Sequence, residues 1–466
     1  MPATRRDVLL GTAATLALGA LPASARAFAP GADAQAEKLL AGVAETLLKD
    51  YPESATTLGI DKDKRADLKH QLTDRSVKGQ ALLAAHLRKG LADIAKLDLN
   101  ALSPIMRTNV DVVQAAYGNA LKGFAFGYGD VAVGSWRNSP YVVVQNVGAF
   151  LDVPRFLDSD HQIKNAEDGE AYVDRLESYS DLLDGETERL KIAASKGVIA
   201  PDFLLDKCLS QIKLARGGNP AGWGVVTSVA NRTVGMGGDF GQAAYLLAKD
   251  KIAPALDRQI AELEKHRKRA TSDAGVWKFR DGDAYYAWAL SAGTTTTMTP
   301  DEVHKMGLDQ LAAIQSEMDA ILKKEGYSQG AVGARMEALA KDKRFTFPEG
   351  DPGRAEIMKF LNDRISDIRS RMPQAFHTLV KGNVEVKRLP LEEEPGAPGA
   401  YGGAGSIDGT IPGKFWINLR ATSLHTRFSL PDLAYHEAIP GHVWQGEYAN
   451  KLPLIRSLLS FNAYSE

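Results

Sequence analysis

Residues 433–447 read LAYHEAIPGHVWQGE, and this stretch decides how the rest of the chain is interpreted. His436 and Glu437 are adjacent, and His442 follows six residues after His436. Zinc hydrolases of the H-E-x-x-H kind use two neutral imidazoles to bind the metal and the carboxylate beside them to take a proton from metal-activated water. The stretch therefore predicts His436 and His442 as metal ligands and Glu437 as general base.

The spacing of the two histidines departs from that pattern, because six residues separate them in place of four. On a regular α-helix such residues point about 120° away from each other. Pro440 cannot donate the helical hydrogen bond, and Gly441 can adopt the dihedral angles of a bulge. A metal site therefore requires the helix to bulge at residues 438–441. The alternative is two unrelated histidines in a kinked helix.

The composition is that of a globular protein and argues against two kinds of site. The 466 residues are 44% hydrophobic and 24% charged, and 56 basic against 58 acidic residues leave a net charge of -2. Without an excess of positive charge to neutralise phosphates, nucleic acid is not an expected partner. Cys208 is the one cysteine, which excludes an internal disulfide and any multi-cysteine metal site. Its apolar neighbours at helical spacing predict a buried side chain.

The first 27 residues have the features of an export signal. Arg5 and Arg6 form a twin-arginine pair, an apolar run extends to about Leu21, and small residues end at Ala27. The run is shorter than the roughly 20 residues of a spanning helix, which favours a cleaved twin-arginine signal over a membrane anchor. We therefore expect a periplasmic or secreted protein whose body, residues 28–466, has no membrane segment.

The remainder of the sequence predicts a mainly α-helical fold. Apolar residues recur at three- and four-residue spacing over residues 36–50, 79–97, 104–121, 168–194 and 201–214. Thr299 and Glu302 form a capping box at the start of another helix, whose apolar face includes Leu311 and Ile314. Strand signals occur at residues 384–389 and 414–419, and a loop rich in Gly and Pro separates them.

The string H-E-A-I-P-G-H-x-x-Q resembles the signature of the bacterial family labelled domain of unknown function 885, which is grouped with gluzincin metallopeptidases. Residues 140–161 (PYVVVQNVGAFLDVPRFLDSDH) and 408–419 (DGTIPGKFWINL) also resemble that family. The resemblance covers nearly all of residues 28–466. It implies a large multi-helix fold of the angiotensin-converting-enzyme and thimet-oligopeptidase type, with a small β element near the active site. It further implies Zn²⁺ in a deep groove and short peptides as substrates.

The resemblance also implies a third metal ligand. Gluzincins take a glutamate from a second, downstream helix, and FNAYSE at residues 461–466 resembles the family's second signature. Glu466 is therefore the predicted ligand, with a surface glutamate as the alternative, whereas Glu447 is expected to point away from the metal. His425 could approach the metal or be a structural histidine. Because the family's chain continues past this glutamate, we expect the sequence to be truncated at its C-terminus.

Residues upstream of the motif are candidates for substrate binding. In zinc peptidases of this clan an edge strand beside the active helix binds the substrate backbone, which makes residues 414–419, with Phe415 and Ile417 on one face, the candidate strand. An ordinary hairpin strand is the alternative. Arg420 could bind a peptide carboxylate or form a surface ion pair. Tyr401 is expected to line the groove.

Three functions remain open. The first is a periplasmic zinc peptidase with Glu437 as general base. The second is a non-catalytic peptide-binding protein with a degenerate metal site. The third is a zinc hydrolase of non-peptide amides or esters, which would share the same residues. Two histidines and one carboxylate also suit iron or cobalt.

Overall fold

The computed structural model describes residues 30–133, 138–391 and 393–459, so the signal expected in residues 1–27 and Glu466 lie outside the described residues. Within them the chain is mainly helical, as the apolar spacing predicts. No helix of the described residues is long and apolar enough to cross a bilayer. The α-helices are α1 (Pro30–Asp50), α2 (Pro52–Thr57), α3 (Val77–Ile94), α4 (Pro104–Phe124), α5 (Ala149–Ser159), α6 (Ala166–Ser195), α7 (Asp202–Arg216), α8 (Gly224–Arg232), α9 (Phe240–Leu247), α10 (Ala253–Arg269), α11 (Gly282–Thr294), α12 (Pro300–Lys324), α13 (Val332–Lys341), α14 (Gly350–Arg371), α15 (Leu430–Glu437), α16 (His442–Ala449) and α17 (Leu454–Leu458).

Helix starts follow the local sequence. At α12, Glu302 donates its backbone N–H to Thr299 Oγ1 at 3.3 Å, and Thr299 donates its own to the Glu302 carboxylate at 2.8 Å, which completes the predicted capping box. At α4, Ser103 accepts from the Met106 N–H, and Pro104 occupies the first helical position. These caps satisfy N–H groups that have no partner inside the helix.

Two helical cores make up the larger part of the molecule. The long helix α6 lies in the first core, together with α5, α7, α8 and α10. Helices α1, α3, α4, α11 and α17 build the second. Cys208 is fully buried in the first core, where it acts as the small apolar residue that its neighbours predict. Burial of these apolar faces is the main term that stabilises the helical body.

A three-stranded sheet and a third core support the motif. The strands β1 (Val384–Arg388), β2 (Ala400–Gly403) and β3 (Gly413–Ile417) have the spatial order β1-β3-β2. Strand β3 pairs in parallel with β1 and antiparallel with β2. The two predicted strands are confirmed, and β2 is an additional strand in the region predicted as loop. The identification of residues 414–419 as an edge strand is wrong, because β3 is central and paired on both sides.

Candidate metal centre

The motif interrupts its helix completely. Helix α15 ends at Glu437 and α16 begins at His442, with residues 438–441 between them and a cis peptide bond before Pro440. The Trp444 N–H donates to the carbonyl of Ala438 at 3.1 Å, so one hydrogen bond spans six residues where a helix would span four. The predicted widening at residues 438–441 is therefore larger than a bulge, because the helix breaks in two.

This break brings the two histidines together. The rings of His436 and His442 have centroids 4.7 Å apart and an interplanar angle of 82°. Each of His436, Glu437 and His442 offers one ligand atom, and these atoms all lie within 4.8 Å of one another. The two extra residues of the spacing are accommodated in the connection, so the histidines do not face opposite sides. Two imidazole nitrogens suit zinc as ligands, and a carboxylate beside them suits a base for metal-bound water.

Gly441 allows the connection to pass this close to the preceding helix. A Cβ at position 441 would overlap the carbonyl oxygen of His436. The space at position 441 therefore requires a glycine. The dipeptide Pro440-Gly441 thus combines a residue that cannot continue the helix with one that can lie against it.

Glu437 is held between the motif and the sheet. Glu437 is buried, with 5% exposure, and His442 has 7%, whereas His436 is more exposed. On the sheet side, a Cβ at Gly402 would lie 2.5 Å from the Glu437 carbonyl oxygen and 3.0 Å from its Oε2. The backbone of β2 therefore runs directly beside Glu437. Strand β2 lies next to the motif and is also an edge strand of the sheet.

A cleft of about 530 Å³ lies beside the motif and is bounded by β2, β3, α5 and α16. His442, Tyr401, Trp416 and Arg155 of α5 are among the residues that line it. Arg155 donates to the Glu393 carboxylate at 2.8 Å, and its guanidinium lies 5.6 Å from the centre of the Tyr401 ring. Tyr401 donates its hydroxyl to the same carboxylate. Burial and the charge of Glu393 raise the pKa of Tyr401, so it is a neutral phenol at physiological pH.

Two of the predicted substrate contacts are wrong. Phe415 and Ile417 have no exposed surface and pack with Ala434 and Ile439 in the third core. Their side chains point to the face of the sheet that α14 and α15 cover, so a substrate in the cleft cannot reach them. Alternation along β3 correctly placed them on one face, but that face is the buried one.

The other candidates are distributed around the site. Tyr401 lines the cleft with His442, whereas Arg420 is exposed and is not among the residues that line it. His425 is buried, and its Nε2 bonds with the Asn418 carbonyl at 2.7 Å, so it supports the strand end and does not join the histidine pair. Burial lowers the pKa of His425.

Glu447 and Glu466 are the two glutamates that follow His442 in the sequence. Glu447 accepts the backbone N–H groups of Lys381 at 2.9 Å and Asn383 at 3.1 Å, and it thereby anchors the segment before β1. Glu466 lies outside the described residues, so its assignment as third ligand stays a prediction. Within those residues, the group that could hold a metal consists of His436, Glu437 and His442.

Sequence reasoning missed the charged residues beside Tyr401 in the cleft. Arg155 and Glu393 are 238 residues apart, and neither belongs to a local pattern with a known chemistry. The available signal for Arg155 was its place in residues 140–161, the stretch that carries part of the family resemblance. Glu393 stands in a run of three glutamates after β1, which gave no reason to separate it from solvent-exposed acids.

Comparison with known proteins gives a family and a fold. A family model described as "Bacterial protein of unknown function (DUF885)" matches residues 52–466. "The crystal structure of the putative lipoprotein from Colwellia psychrerythraea" has a TM-score of 0.85 and 27% sequence identity, with 93% of this chain and 76% of that chain covered. A "putative lipoprotein of unknown function from Shewanella oneidensis" has a TM-score of 0.51 at 15% identity, covers 92% and 74%, and shows likeness of fold alone. No curated protein matches the chain.

Proposed function

The chain belongs to the DUF885 family of bacterial proteins, and from the geometry of its motif we propose that it is a zinc-dependent peptide hydrolase. The observation that carries this proposal is the convergence of His436 and His442. Their rings lie 4.7 Å apart in spite of a spacing that a regular helix would turn to opposite sides. The break removes helical hydrogen bonds at residues 438–441 and brings two imidazoles and a carboxylate together. Metal binding is the proposed function of this arrangement.

The donor set fits a zinc ion. His436 and His442 would bind it through one ring nitrogen each, and Glu466 is the proposed third protein ligand. When bound, the ion would lower the pKa of a coordinated water and polarise the carbonyl of the substrate. The same donors accept iron or cobalt, so metal analysis of the protein decides the identity.

Glu437 is the proposed general base. Its position next to His436 places the carboxylate beside the metal ligands, and the close backbone of Gly402 restricts its movement. The carboxylate would take a proton from the attacking water and pass it to the leaving amine, a transfer that contributes about 10²–10⁴-fold to the rate in enzymes of this kind. Because Glu437 is buried, few solvent molecules compete for that proton.

Strand β2 is the proposed binding edge for the substrate backbone. The Asn418 N–H donates to the Gly399 carbonyl at 2.9 Å, which fixes the alternation of the antiparallel ladder. Tyr401 and Gly403 therefore direct their backbone groups to β3, and Ala400 and Gly402 direct theirs to the outer edge. In the described residues no further strand pairs with that edge. An extended peptide added there would pass beside Glu437.

The proposed location is the cell envelope. Residues 1–27 have the features of a twin-arginine signal, and the related structure from Colwellia psychrerythraea is called a "putative lipoprotein". An exported hydrolase with a cleft of about 530 Å³ would act on short peptides, because such a volume accommodates only a few residues.

Metal analysis and a substitution of the base test the proposal. The full-length protein should contain about one zinc per chain and hydrolyse short peptides, whereas Glu437→Gln should keep the metal and lose about 10²–10⁴-fold in kcat. Glu447→Gln is the matched control, because Glu447 lies in the neighbouring helix α16 and bonds away from the histidines. Absence of bound metal would reject the proposal, and undiminished hydrolysis by Glu437→Gln would reject the role of the base. Turnover of non-peptide amides or esters without turnover of peptides would show that these compounds, and not peptides, are the substrates.

A further inference from the structure

Helix α12 leaves an apolar face open to solvent. Its side chains Leu308, Leu311, Ile314 and Ile321 are each between 50% and 60% exposed. None of the apolar cores of the described residues contains a residue of α12. Single exposed apolar residues are ordinary, but a contiguous apolar face marks a surface that another molecule covers.

Helix α13 makes the main contact with α12 among the described elements. The contact lies near the C-terminal end of α12, where Leu322 is buried and Arg335 donates to the Asp319 carboxylate at 2.5 Å. Ile314 and Ile321 lie roughly 80–100° away from Leu322 around the helix axis. Packing on α13 therefore leaves the apolar face uncovered.

The spacing of that face is typical of a two-stranded coiled coil. Gly307, Leu311, Ile314, Met318 and Ile321 follow one another at alternating steps of four and three residues, which is the repeat of a seam between paired helices. Nothing lies within 4 Å of a Cβ at Gly307, so a large side chain of a partner helix has room there. The pattern indicates a helix as the partner.

The charges of α12 complement those of a second α12 in the antiparallel orientation. Asp301 and Glu302 lie in the first turn, and Lys323 and Lys324 lie in the last. Lys323 pairs with Asp319 of the same helix, whereas Asp301 and Lys324 form no ion pair within the described residues. Two parallel copies would bring like charges together at both ends, and two antiparallel copies bring opposite charges together.

We propose that α12 pairs antiparallel with α12 of a second copy of this chain and so forms a two-fold symmetric dimer. With the symmetry axis between Leu311 and Ile314, Leu311 of each copy packs against Ile314 of the other. The same register places Asp301 of each copy opposite Lys324 of the other. This inference does not depend on the proposed peptide hydrolase, because α12 contributes no residue to the cleft beside His442.

The size of the face predicts the strength of the dimer. The 25 residues of α12 form a helix about 37 Å long and about 10 Å wide. A face of these dimensions covers less than the roughly 800 Å² per partner of a standard stable interface. We therefore expect an equilibrium between monomer and dimer with a roughly micromolar dissociation constant.

A membrane surface fits the same face less well. Helices that lie on membranes carry Lys and Arg on their polar side, which anionic lipids attract. Helix α12 has more acidic than basic residues, namely Asp301, Glu302, Asp309, Glu317 and Asp319 against Lys305, Lys323 and Lys324. The excess of negative charge disfavours anionic lipids.

Sedimentation equilibrium of the purified protein at about 1–200 µM tests the dimer. Wild type should show a monomer–dimer equilibrium, and Leu311→Lys should raise the dissociation constant at least about 100-fold, because symmetry places the substitution twice at the centre of the interface. Leu246→Lys, at an exposed leucine of α9, is the control that should associate like wild type. A wild-type protein that stays monomeric throughout, or a dimer that Leu311→Lys leaves intact, would overturn the proposal.

A charge exchange tests the antiparallel orientation. Asp301→Lys and Lys324→Asp should each raise the dissociation constant by about 3–30-fold, and the variant with both substitutions should return to within about 2-fold of wild type. Neither substitution alters the capping box of Thr299 and Glu302, and circular dichroism verifies that the helix content is kept. A double variant that associates no more tightly than the single variants would overturn the antiparallel pair.

Flotation with vesicles of phosphatidylglycerol and phosphatidylethanolamine tests the membrane as the occupant. The wild-type protein should stay unbound. Vesicle binding by a monomeric wild-type protein that Leu311→Lys abolishes would assign the face to the membrane and overturn the dimer.

Discussion

Gly441 lies against His436 so closely that a Cβ at position 441 would overlap the carbonyl oxygen of that histidine. The contact joins the end of α15 to the start of α16 and sets the separation of the two imidazoles. Since the ring centroids are only 4.7 Å apart, a shift of the connection alters the distance on which the proposed metal binding depends.

Gly441→Ala should therefore weaken zinc binding. The added methyl group forces residues 438–441 away from α15. Substitutions that displace the groups supporting a metal ligand typically lower metal affinity by about 10–100-fold. The dissociation constant for zinc, measured by competition with a chelator, checks the prediction. Gly399→Ala is the control, because a Cβ there meets nothing within 4 Å. An unchanged zinc affinity in Gly441→Ala would show that the connection does not position the histidines.

Gly402→Ala should lower turnover without loss of the metal. Its Cβ would lie 3.0 Å from Oε2 of Glu437, so the carboxylate or β2 must move, and misplacement of a catalytic group by about 1 Å can cost 10²-fold. The neighbouring Gly403→Ala is a matched control on the same strand, since nothing lies within 4 Å of its Cβ. Peptide kcat and zinc content are the two measurements. Equal kcat values for the two variants would show that the backbone at Gly402 does not restrict the movement of Glu437.

The Arg155–Glu393 pair should stabilise the wall of the cleft through a coupling that a double-mutant cycle detects. Glu393 is 5% exposed, so Glu393→Gln removes the negative charge that pairs with the Arg155 guanidinium and should cost about 1–3 kcal/mol of unfolding free energy. Arg155→Met leaves the buried Glu393 carboxylate without its guanidinium partner and should have a similar cost. The double variant should lose less than the sum of the two losses, by about 0.5–3 kcal/mol. Strict additivity in urea denaturation would mean that the pair contributes nothing beyond its separate residues.

Much of the fold follows from local sequence, but the burial of individual faces does not. The capping box at Thr299 marks the start of α12 correctly, because a cap is a property of four neighbouring residues. The apolar positions Leu311 and Ile314 of that helix are nevertheless exposed, at 50% and 54%. Periodicity identifies a helix and its apolar face, and only the tertiary arrangement decides what covers that face.

The same limit explains the errors at the sheet. Alternation over residues 414–419 predicts a strand and groups Phe415 with Ile417, yet it contains no information on which strands pair with it. Strand β2 escaped prediction because Gly402 and Gly403 are typical of loops. A glycine is favourable there because the backbone of position 402 passes beside Glu437, a contact with a residue 35 positions away that no local pattern reports.

At the candidate metal centre, the sequence predicts that His436 and His442 lie together, and the structure shows how they meet. The spacing of His436 and His442 implied a distortion at residues 438–441, because a regular helix would separate the rings. The sequence could not show that the helix stops at Glu437 and restarts at His442. Arg155 approaches the site only through the packing of α5 against the sheet region, which local patterns do not predict.

His161 makes the stability of the helical body dependent on pH. It is fully buried, its Nδ1 accepts from Arg175 at 2.7 Å, and its Nε2 donates to the Asp168 carbonyl at 2.9 Å. This network fixes the neutral tautomer, since Nδ1 must remain an acceptor. Burial and the charge of Arg175 lower the pKa of His161 from its ordinary value of 6.5 to about 3.

The depressed pKa of His161 determines the sign of the effect. Between pH 6.5 and about 3 the unfolded chain binds a proton on His161 and the folded protein does not. The free energy of unfolding therefore falls as the pH decreases through this window, by up to about 1.4 kcal/mol per pH unit from this group. His161→Gln keeps an acceptor and a donor but cannot titrate, so urea denaturation between pH 4.5 and 7 should give a shallower slope for this variant than for wild type. His377→Gln, at an exposed histidine, should keep the wild-type slope. A variant at position 161 with the full wild-type slope would place the pH dependence in other groups.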